Sequence, residues 1–176
     1  MYYSNIEKEI INDEYYKINM DILNLEYELS ISTKDLYFFN KSINESTKSL
    51  HSRFRVGCII TTNNKIISKK HNENKTHPLQ RYYNNIANDM DECKIKRASN
   101  DIHAEINAII SAKKSKNFIP NYSKIYIGRI TKDGNISCSF PCYSCFSAIC
   151  DIGFSEIVCL DPFNRLVRIR LWTFTN

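Results

Sequence analysis

Two short groups of residues in this sequence carry side chains that could bind a metal ion and move protons. The first is His103 with Glu105 two residues later, and the second is a Pro-Cys-Tyr-Ser-Cys run that begins at Pro141. Imidazole nitrogen and thiolate sulfur are ligands of Zn²⁺, and a catalytic zinc site uses three protein ligands and leaves the fourth position for water. The sequence therefore predicts a zinc ion held by His103, Cys142 and Cys145.

Both groups fall at the predicted start of a helix. Asp101 is the predicted N-cap residue of the first helix. An apolar face at helical spacing follows it, formed by Ile102, Ile106, Ile109 and Ile110. Pro141 can occupy the first position of the second helix because its missing N–H is not needed there, and Gly153 ends that helix. The positive end of the second helix dipole favours the thiolate form of both cysteines.

Strands are predicted before, between and after these helices. They lie at residues 55–61, 65–68, 124–130, 156–160 and 166–173. Asn63-Asn64 is the turn of a hairpin, residues 136–140 form an extended piece, and a helix at 36–43 follows a cap at 32–35. Helices that alternate with strands favour an α/β fold, in which a mixed sheet has helices on its faces.

The last two strands are too close in sequence for a parallel pair. A parallel crossover needs a dozen or more residues, whereas only residues 161–165 separate these strands. Pro162 and Asn164 are typical of a turn. We therefore predict that the two strands form an antiparallel hairpin at the edge of the sheet.

The stretch from residue 71 to residue 100 is polar and has little periodicity. It is predicted to be a long surface loop with a helical turn around residues 79–86. Two hypotheses stay open for His71, His77 and Cys93, which could form a second, structural zinc site or could simply lie in solvent. Solvent exposure is favoured.

Further alternatives stay open for other side chains. The metal site could be a closed structural one, with Cys138, Cys150 or His77 as its fourth ligand. Glu105 could be an ordinary acid on the helix surface. Tyr82-Tyr83 could stack on a base, although simple packing of the two rings on the loop is favoured.

The combination of His-Ala-Glu with a later Pro-Cys-x-x-Cys resembles the cytidine and deoxycytidylate deaminase superfamily. The resemblance covers about residues 35–172. The run from His103 to Ile110 looks like deoxycytidylate deaminases and similar virus-encoded proteins, and residues 55–60 look like the first strand of the family. The resemblance implies a three-layer α/β/α fold with a mixed five-stranded sheet, and zinc-dependent hydrolytic deamination as the activity.

The resemblance also implies roles for individual residues. Glu105 would take a proton from the water at the metal, protonate the ring nitrogen of the substrate and then protonate the departing ammonia. Asn72 stands where the family carries an asparagine that contacts the sugar. The backbone of Ala104 and that of Phe140 would touch the base amide and the amino group that is lost.

The leading substrate hypothesis is a free cytosine nucleotide or nucleoside, with deoxycytidylate as the best single choice. The net charge of +5 favours an anionic substrate and permits nucleic acid, but the basic residues are scattered. Deamination of a base in RNA or single-stranded DNA is the second hypothesis, and a non-catalytic, zinc-stabilised binding module is the third. Within the superfamily, an antiparallel final hairpin is associated with free-nucleoside deaminases and some toxin-like deaminases. Deoxycytidylate deaminases, like transfer-RNA and polynucleotide deaminases, usually have a parallel arrangement.

Composition indicates a globular protein. Hydrophobic residues make up 43% and charged residues 24% of the 176 residues, which is typical of one folded domain. No apolar run is long enough for a membrane span, and the N-terminus does not resemble a signal peptide. Seven cysteines, an odd number, argue against a disulfide framework, and Cys58, Cys138 and Cys159 are predicted to be small buried hydrophobic residues.

We therefore expect an intracellular, cytoplasmic protein that forms a homo-oligomer, and the resemblance permits a viral origin. Apolar residues at helical spacing in the first part of the chain predict a helical extension or arm over residues 1–30. Residues 31–176 are then the deaminase domain.

Overall fold

The described part of the computed structural model comprises residues 27–29, 31–51, 54–89 and 100–171. Its strands are β1 (Tyr27–Glu28), β2 (Arg55–Thr62), β3 (Lys65–His71), β4 (Glu73–Thr76), β5 (Asp101–Ile102), β6 (Ser123–Ile130), β7 (Glu156–Leu160) and β8 (Leu166–Arg170). Its α-helices are α1 (Thr33–Ser46), α2 (Pro78–Asp89), α3 (Ala104–Ala112) and α4 (Tyr143–Ile152). A 3₁₀ turn covers Pro120–Tyr122.

A mixed sheet lies at the centre of the fold, with the strand order β1-β8-β7-β6-β2-β3. Strands β6 and β7 are parallel, and all other neighbours in this sheet are antiparallel. All five predicted strands belong to it, which confirms the predicted α/β class, and β1 adds a two-residue strand at one edge. Strands β4 and β5 form a separate two-stranded sheet just before α3.

Helices cover both faces of the sheet and make three layers. Helix α1 packs on one face, where the buried residues are Phe38, Phe39, Ile59, Tyr126, Val158 and Leu160. Helices α3 and α4 enclose the larger core on the other face, which includes Ile106, Ile109, Ile125, Ile127, Cys145 and Ile149. Because successive strand residues point to opposite faces, neighbouring residues of β6 contribute to different cores.

Helix α1 begins where the sequence predicts. Ser32 is its N-cap residue, and the Ser32 side chain accepts a hydrogen bond from the backbone N–H of Asp35 at 3.0 Å. The helix comes very close to the sheet, because Gly57 and Gly128 are paired across β2 and β6 beneath it. A Cβ atom on Gly57 would lie 2.2 Å from the carbonyl oxygen of Ser42, so this contact requires glycine.

Both predicted hairpins are confirmed. Asn63 and Asn64 join β2 to β3 with φ angles of 49° and 62°, in the left-handed region that asparagine tolerates. Strands β7 and β8 are antiparallel, with Leu160 opposite Leu166. Strand β8 is not the outermost strand, however, because β1 pairs with its other side.

The long-loop prediction for residues 71–100 is wrong over much of its length. Residues 73–76 form β4, and the helical turn predicted around residues 79–86 is part of a longer, three-turn helix, α2, at residues 78–89. One apolar stripe of α2, formed by Leu79, Tyr83 and Ile86, packs against the larger core. Packing of such a stripe stabilises a helix whose remaining residues are polar.

The predicted helix starts near the metal-binding motifs need small corrections. Asp101 is not an N-cap residue, because it belongs to β5 and pairs with β4, and the N-cap residue of α3 is His103. Pro141 lies outside α4, whose N-cap residue is Cys142. Gly153 ends α4 as predicted, with a φ angle of 82°.

Two further predictions fall partly outside the described residues. Of the predicted arm at 1–30, residues 27–28 form a strand, while residues 1–26 and 30 are not described. The described part of the last strand ends at Arg170, and residues 172–176 are not described. Among the described helices, none is long and apolar enough to cross a membrane.

Cys58 and Cys159 are fully buried in strands, as predicted, and Cys138 is half-buried.

Candidate active site

The starts of α3 and α4 bring one imidazole and two sulfur atoms together. His103 is the N-cap residue of α3, Cys142 is the N-cap residue of α4, and Cys145 lies in the first turn of α4. The Nδ1 atom of His103 is 3.4 Å from the Sγ of Cys142 and 3.3 Å from the Sγ of Cys145. Neither N-cap side chain makes a capping hydrogen bond to its helix, so both are directed to this cluster instead.

The donor atoms of the cluster fit a zinc ion. Around a tetrahedral zinc with Zn–N near 2.0 Å and Zn–S near 2.3 Å, nitrogen and sulfur lie about 3.5 Å apart, close to the separations found here. Within the described residues, His103, Cys142 and Cys145 are the one group of three or more potential ligands whose donor atoms lie within 4.8 Å of one another. Such an open set of three ligands is typical of a catalytic rather than a structural zinc site.

The side chains suggested as a fourth ligand do not join this group. Cys138, Cys150 and His77 are all described, and none belongs to the cluster. Cys150 is exposed on the outer side of α4, and the Nδ1 of His77 accepts a hydrogen bond from the backbone N–H of Leu79 at the start of α2.

The protonation of the cluster is suited to a cation. A hydrogen bond from Cys145, reinforced by the neighbouring His103, holds the pKa of Cys142 well below that of a free thiol. Burial raises the pKa of Cys145. Burial opposes the charged form of His103, but the Cys142 thiolate and other neighbouring negative charges raise its pKa to about 9. Protons are thus shared among the three groups, and a bound metal ion displaces such protons.

Glu105 lies in the first turn of α3 and is almost completely buried, with 5% of its surface exposed. Burial raises the pKa of its carboxyl group, against the opposing effect of His103. Glu105 is not one of the grouped ligands. A buried carboxyl group with a raised pKa, beside a group of potential metal ligands, has the properties of a general acid–base group. The alternative of an ordinary surface acid is therefore wrong.

Asn72 is buried, but its amide is engaged with the backbone. Its Oδ1 accepts a hydrogen bond from the N–H of Val56 and its Nδ2 donates to the carbonyl of Phe54, both at 2.8 Å. These two hydrogen bonds hold the backbone at the start of β2. The contact between Asn72 and a sugar stays a prediction.

Ala104 and Phe140 lie on either side of the ligand cluster along the chain. Ala104 is fully buried at the first position of α3, and Phe140 is half-buried two residues before Cys142. Both pack in the larger core together with Cys145. Their backbone contacts with a base stay predictions.

The two histidines of the alternative second zinc site make contacts with other groups. The Nδ1 of His71 lies 3.1 Å from a carboxylate oxygen of Glu45, and that of His77 is engaged at the start of α2. Cys93 is not described. Of the two neighbouring tyrosines, Tyr83 is buried in the core, as the packing interpretation predicts, whereas 57% of Tyr82 is exposed.

Sequence reasoning missed two polar residues that support this site. Asn107, one turn after His103, donates hydrogen bonds from Nδ2 to the carbonyl of His71 at 2.9 Å and to Glu73 at 2.7 Å. Gln80 in α2 accepts a hydrogen bond from the backbone N–H of His103 at 2.9 Å. The helical spacing of Asn107 from His103 could have indicated the first. Gln80 lies in the helical turn predicted around residues 79–86, but nothing in the sequence relates that turn to His103.

Comparison with known proteins agrees with this geometry. The family model described as "Cytidine and deoxycytidylate deaminase zinc-binding region" matches residues 32–161. No curated protein sequence matches the chain. Among solved structures, a cytidine deaminase from Burkholderia pseudomallei is 16% identical, over 80% of this chain and 94% of that one, with a TM-score of 0.53. This likeness shows a shared fold.

A second similar structure is the dCMP deaminase from the cyanophage S-TIM5. In its apo form it is 19% identical, over 72% of this chain and 82% of that one, with a TM-score of 0.49. In complex with dCMP and dUMP it is 18% identical, over 73% and 82%, with the same TM-score of 0.49.

Proposed function

The chain belongs to the cytidine and deoxycytidylate deaminase family, and from this premise we propose that it converts deoxycytidylate to deoxyuridylate and ammonia. The observation that carries the proposal is the open cluster of His103, Cys142 and Cys145 beside the buried carboxyl group of Glu105. A catalytic zinc ion typically has three protein ligands, as this cluster provides. A buried carboxyl group such as that of Glu105 can act as a general acid and base. A cytosine nucleotide or nucleoside is the substrate class that the family implies.

The chain is a zinc-dependent deaminase, and we assign the Nδ1 of His103 and the two sulfur atoms as the zinc ligands. Zinc bound there would acidify a water molecule and so supply a nucleophile near neutral pH. The helix dipole of α4 stabilises negative charge on Cys142 and Cys145, which lie at its N-terminus.

Glu105 carries the protons in the proposed reaction. Its carboxylate accepts a proton from the attacking water and delivers it to the ring nitrogen as oxygen bonds to C4 of cytosine. It then transfers the remaining hydroxyl proton to the amino group, so that the C4–N bond breaks and ammonia leaves. Water and substrate are consumed, and Glu105 returns to its starting state. Burial among apolar residues favours this exchange because it holds the pKa of Glu105 above that of an exposed carboxyl.

A cationic side chain on the same face of the sheet supports a nucleotide as substrate. Ile127 of β6 packs in the core with Cys145, and Arg129, two residues later, therefore faces the same side. The guanidinium carbon of Arg129 lies 4.3 Å from the ring centroid of the half-exposed Phe54. Within the described residues, the Nε of Arg129 has no hydrogen-bond partner. This Nε is buried, and Nη1 of Arg129 donates to the carbonyl oxygen of Cys138 at 3.4 Å. The support for a phosphate group is therefore the positive charge of the stacked guanidinium.

A free nucleoside is the second candidate, and the hairpin of β7 and β8 favours it. These strands are antiparallel and joined by a tight turn. The resemblance associates this arrangement with nucleoside deaminases rather than with deoxycytidylate deaminases. The two candidates differ only in the phosphate group, so Arg129 is the residue that separates them.

The experiment is a comparison of kcat/KM for deoxycytidylate, cytidylate, deoxycytidine, cytidine and single-stranded oligonucleotides, with ammonia release as the signal. We expect the highest value for deoxycytidylate. Arg129→Gln should lower kcat/KM for deoxycytidylate by about 10–100-fold, the value of one charge-assisted hydrogen bond, and leave deoxycytidine almost unchanged. Equal values for nucleotide and nucleoside in the unmodified protein would favour the second candidate.

A matched control uses a second arginine of the described residues that stacks on an exposed phenylalanine. The guanidinium carbon of Arg165 lies 5.0 Å from the ring centroid of Phe163, in the turn between β7 and β8. Arg165→Gln makes the same change in charge and should leave the ratio of nucleotide to nucleoside activity unchanged. If oligonucleotides are the better substrates, and their binding weakens steeply with salt, the nucleic-acid alternative replaces both candidates.

A further inference from the structure

A fully buried glutamine lies directly behind the metal-ligand cluster. Gln80 of α2 has no exposed surface. Its Oε1 accepts a hydrogen bond from the backbone N–H of His103 at 2.9 Å, and its Nε2 donates to the Oδ1 of Asn84 at 3.0 Å. We propose that Gln80 is a positioning residue that fixes the His103 imidazole for the metal, an inference that rests on the proposed role of His103 as a ligand.

The position of His103 in the chain explains why its backbone needs a partner. His103 connects β5 to α3 and has an extended conformation, with φ of −74° and ψ of 154°. The N–H of an N-cap residue takes no part in the hydrogen bonding of its own helix. A rotation of the backbone at this junction would turn the Cα–Cβ bond and move the imidazole away from the two sulfur atoms.

Hydrogen bonds hold the backbone of His103 on both sides of its Cα atom. Its carbonyl accepts a hydrogen bond from the N–H of Asn107 at 3.0 Å, as the first turn of α3 requires. Its N–H donates to Gln80, which belongs to a different helix. The second bond is the one that a side chain supplies, and it is therefore the one that a substitution can remove.

Helix α2 is itself fixed independently of this bond. Tyr83, one turn after the start of α2, is 5% exposed, and its hydroxyl group forms a hydrogen bond with Asp151 of α4. The ring of Tyr83, together with Leu79 and Ile86, packs α2 against the larger core that also contains Cys145, and this packing holds the helix that carries Gln80. Through α2, the backbone of one metal ligand is held relative to the element that supplies the other two.

Glutamine has the chemistry that this position requires. Its neutral amide offers an acceptor to His103 and a donor to Asn84, so both ends are satisfied without a buried charge. A carboxylate at the same place would add negative charge next to a site that already holds thiolates and Glu105. Side chains that orient metal ligands typically change metal affinity by about 10–100-fold when they are removed.

The test is Gln80→Met, which keeps the length of the side chain but removes its acceptor. We measure the zinc dissociation constant by competition with a chelator, and the visible absorption of the cobalt(II)-substituted protein, whose thiolate and d–d bands report ligand geometry. We expect zinc affinity to fall by about 10–100-fold and the cobalt bands to change. With saturating zinc, kcat should fall while KM changes little.

Tyr83→Phe is the matched control, because it removes a buried hydrogen bond from the same helix but keeps the ring that packs α2 on the larger core and leaves the contact with His103. It should reduce thermal stability and leave zinc affinity and the cobalt spectrum as in the unmodified protein. Wild-type metal affinity and spectrum in Gln80→Met would overturn the proposal, as would an equal loss of affinity in Tyr83→Phe. If Gln80→Met does not fold, Gln80→Asn, whose shorter amide cannot span the same distance, is measured in the same way.

The metal measurements also separate this proposal from the proposed function. They need no substrate, so Gln80 is tested even if none of the cytosine compounds is deaminated. His103→Ala, measured in parallel, shows whether the imidazole is a metal ligand at all. An unchanged cobalt spectrum in His103→Ala would reject the assigned ligand set, whereas a changed one with a wild-type Gln80→Met spectrum would reject only the role of Gln80.

Discussion

The two faces of the central sheet each bury a carboxyl group, and the two groups have opposite surroundings. Asp35 of α1 is 2% exposed, and Glu105 of α3 is 5% exposed. Burial is the largest single influence on both and opposes the charged form. At Asp35 the neighbouring groups outweigh the effect of burial, so the pKa is lowered. At Glu105 they do not outweigh it, so the pKa is raised.

The difference comes from the partners of each carboxylate. Asp35 accepts hydrogen bonds from the hydroxyl groups of Ser32 at 2.7 Å and Tyr126 at 2.8 Å. Lys124 and Arg168 lie 3.5 and 3.6 Å from its oxygen atoms. At Glu105, His103 and hydrogen bonds from Cys145 and the backbone lower the pKa, but the negative Cys142 raises it, and together these partners do not outweigh burial.

Burial alone therefore does not distinguish a structural acid from a catalytic one. A carboxylate whose partners outweigh the effect of burial stabilises the fold, whereas one whose partners do not outweigh it keeps a raised pKa, as acid–base groups do. We therefore expect the two sites to differ in the effect of substitutions. Changes around Glu105 should affect the reaction, and changes at Asp35 should affect stability.

The largest effect is expected from removal of a proposed metal ligand. Cys145→Ser should lose zinc and all measurable deaminase activity, and it should also lose stability because Cys145 is fully buried at the start of α4. Metal content and ammonia release measure the two losses. Cys159→Ala is the matched control, since Cys159 is equally buried but does not belong to the ligand group, and it should retain zinc. Retention of zinc by Cys145→Ser would contradict the assigned site.

Glu105→Gln should have the next largest effect, and it should fall on the reaction alone. The amide has the same shape but cannot carry protons, so kcat should fall by at least about 10²–10⁴-fold. Zinc content and thermal stability should stay near those of the unmodified protein, because Glu105 is not a ligand. A Glu105→Gln protein with nearly unchanged turnover would remove the proposed proton carrier.

The structure brings His103, Cys142 and Cys145 together, as the sequence predicts, because the information is local. The His-x-Glu and Cys-x-x-Cys groups stand at helix starts, and a helix start fixes side chains three or four residues apart on one side. Asn63-Asn64 and residues 161–165 were equally informative, since turn chemistry depends on neighbouring residues. These features need no knowledge of the rest of the fold.

Features that depend on distant partners were not predictable in this way. The sequence of helix α2 is mostly polar, so its full length could not be predicted. The helix is stabilised by the packing of Tyr83 and its apolar neighbours on the larger core. Aspartate is a common N-cap residue, but Asp101 pairs with β4 and therefore belongs to a strand. Gln80 and Asp35 are ordinary polar residues in sequence, and only the tertiary structure brings them to His103 and Tyr126.

The smallest effect is expected from Asp35→Asn, and it should fall on stability alone. The amide loses the charge that Lys124 and Arg168 compensate and part of the hydrogen bonding with Ser32 and Tyr126. We expect the free energy of unfolding at pH 7 to fall by about 1–3 kcal/mol, as for a disrupted buried hydrogen bond. Zinc content and kcat should not change, because Asp35 lies on the opposite face of the sheet from the ligand group.

The pH dependence of this loss tests its electrostatic origin. The pKa of Asp35 is lower in the folded protein than the value of about 3.9 for an unfolded chain. Its charge therefore stabilises the fold above that value, and the stabilisation is lost as the pH falls through the lower, folded pKa. Denaturant unfolding followed by circular dichroism should show a large difference between the unmodified protein and Asp35→Asn at neutral pH that shrinks below about pH 4. Asp133→Asn, in an exposed turn, provides the control and should follow the unmodified protein throughout. If the difference in unfolding free energy between the two proteins is the same at pH 7 and in acid, the contacts of Asp35 depend on the shape of its side chain and not on its charge.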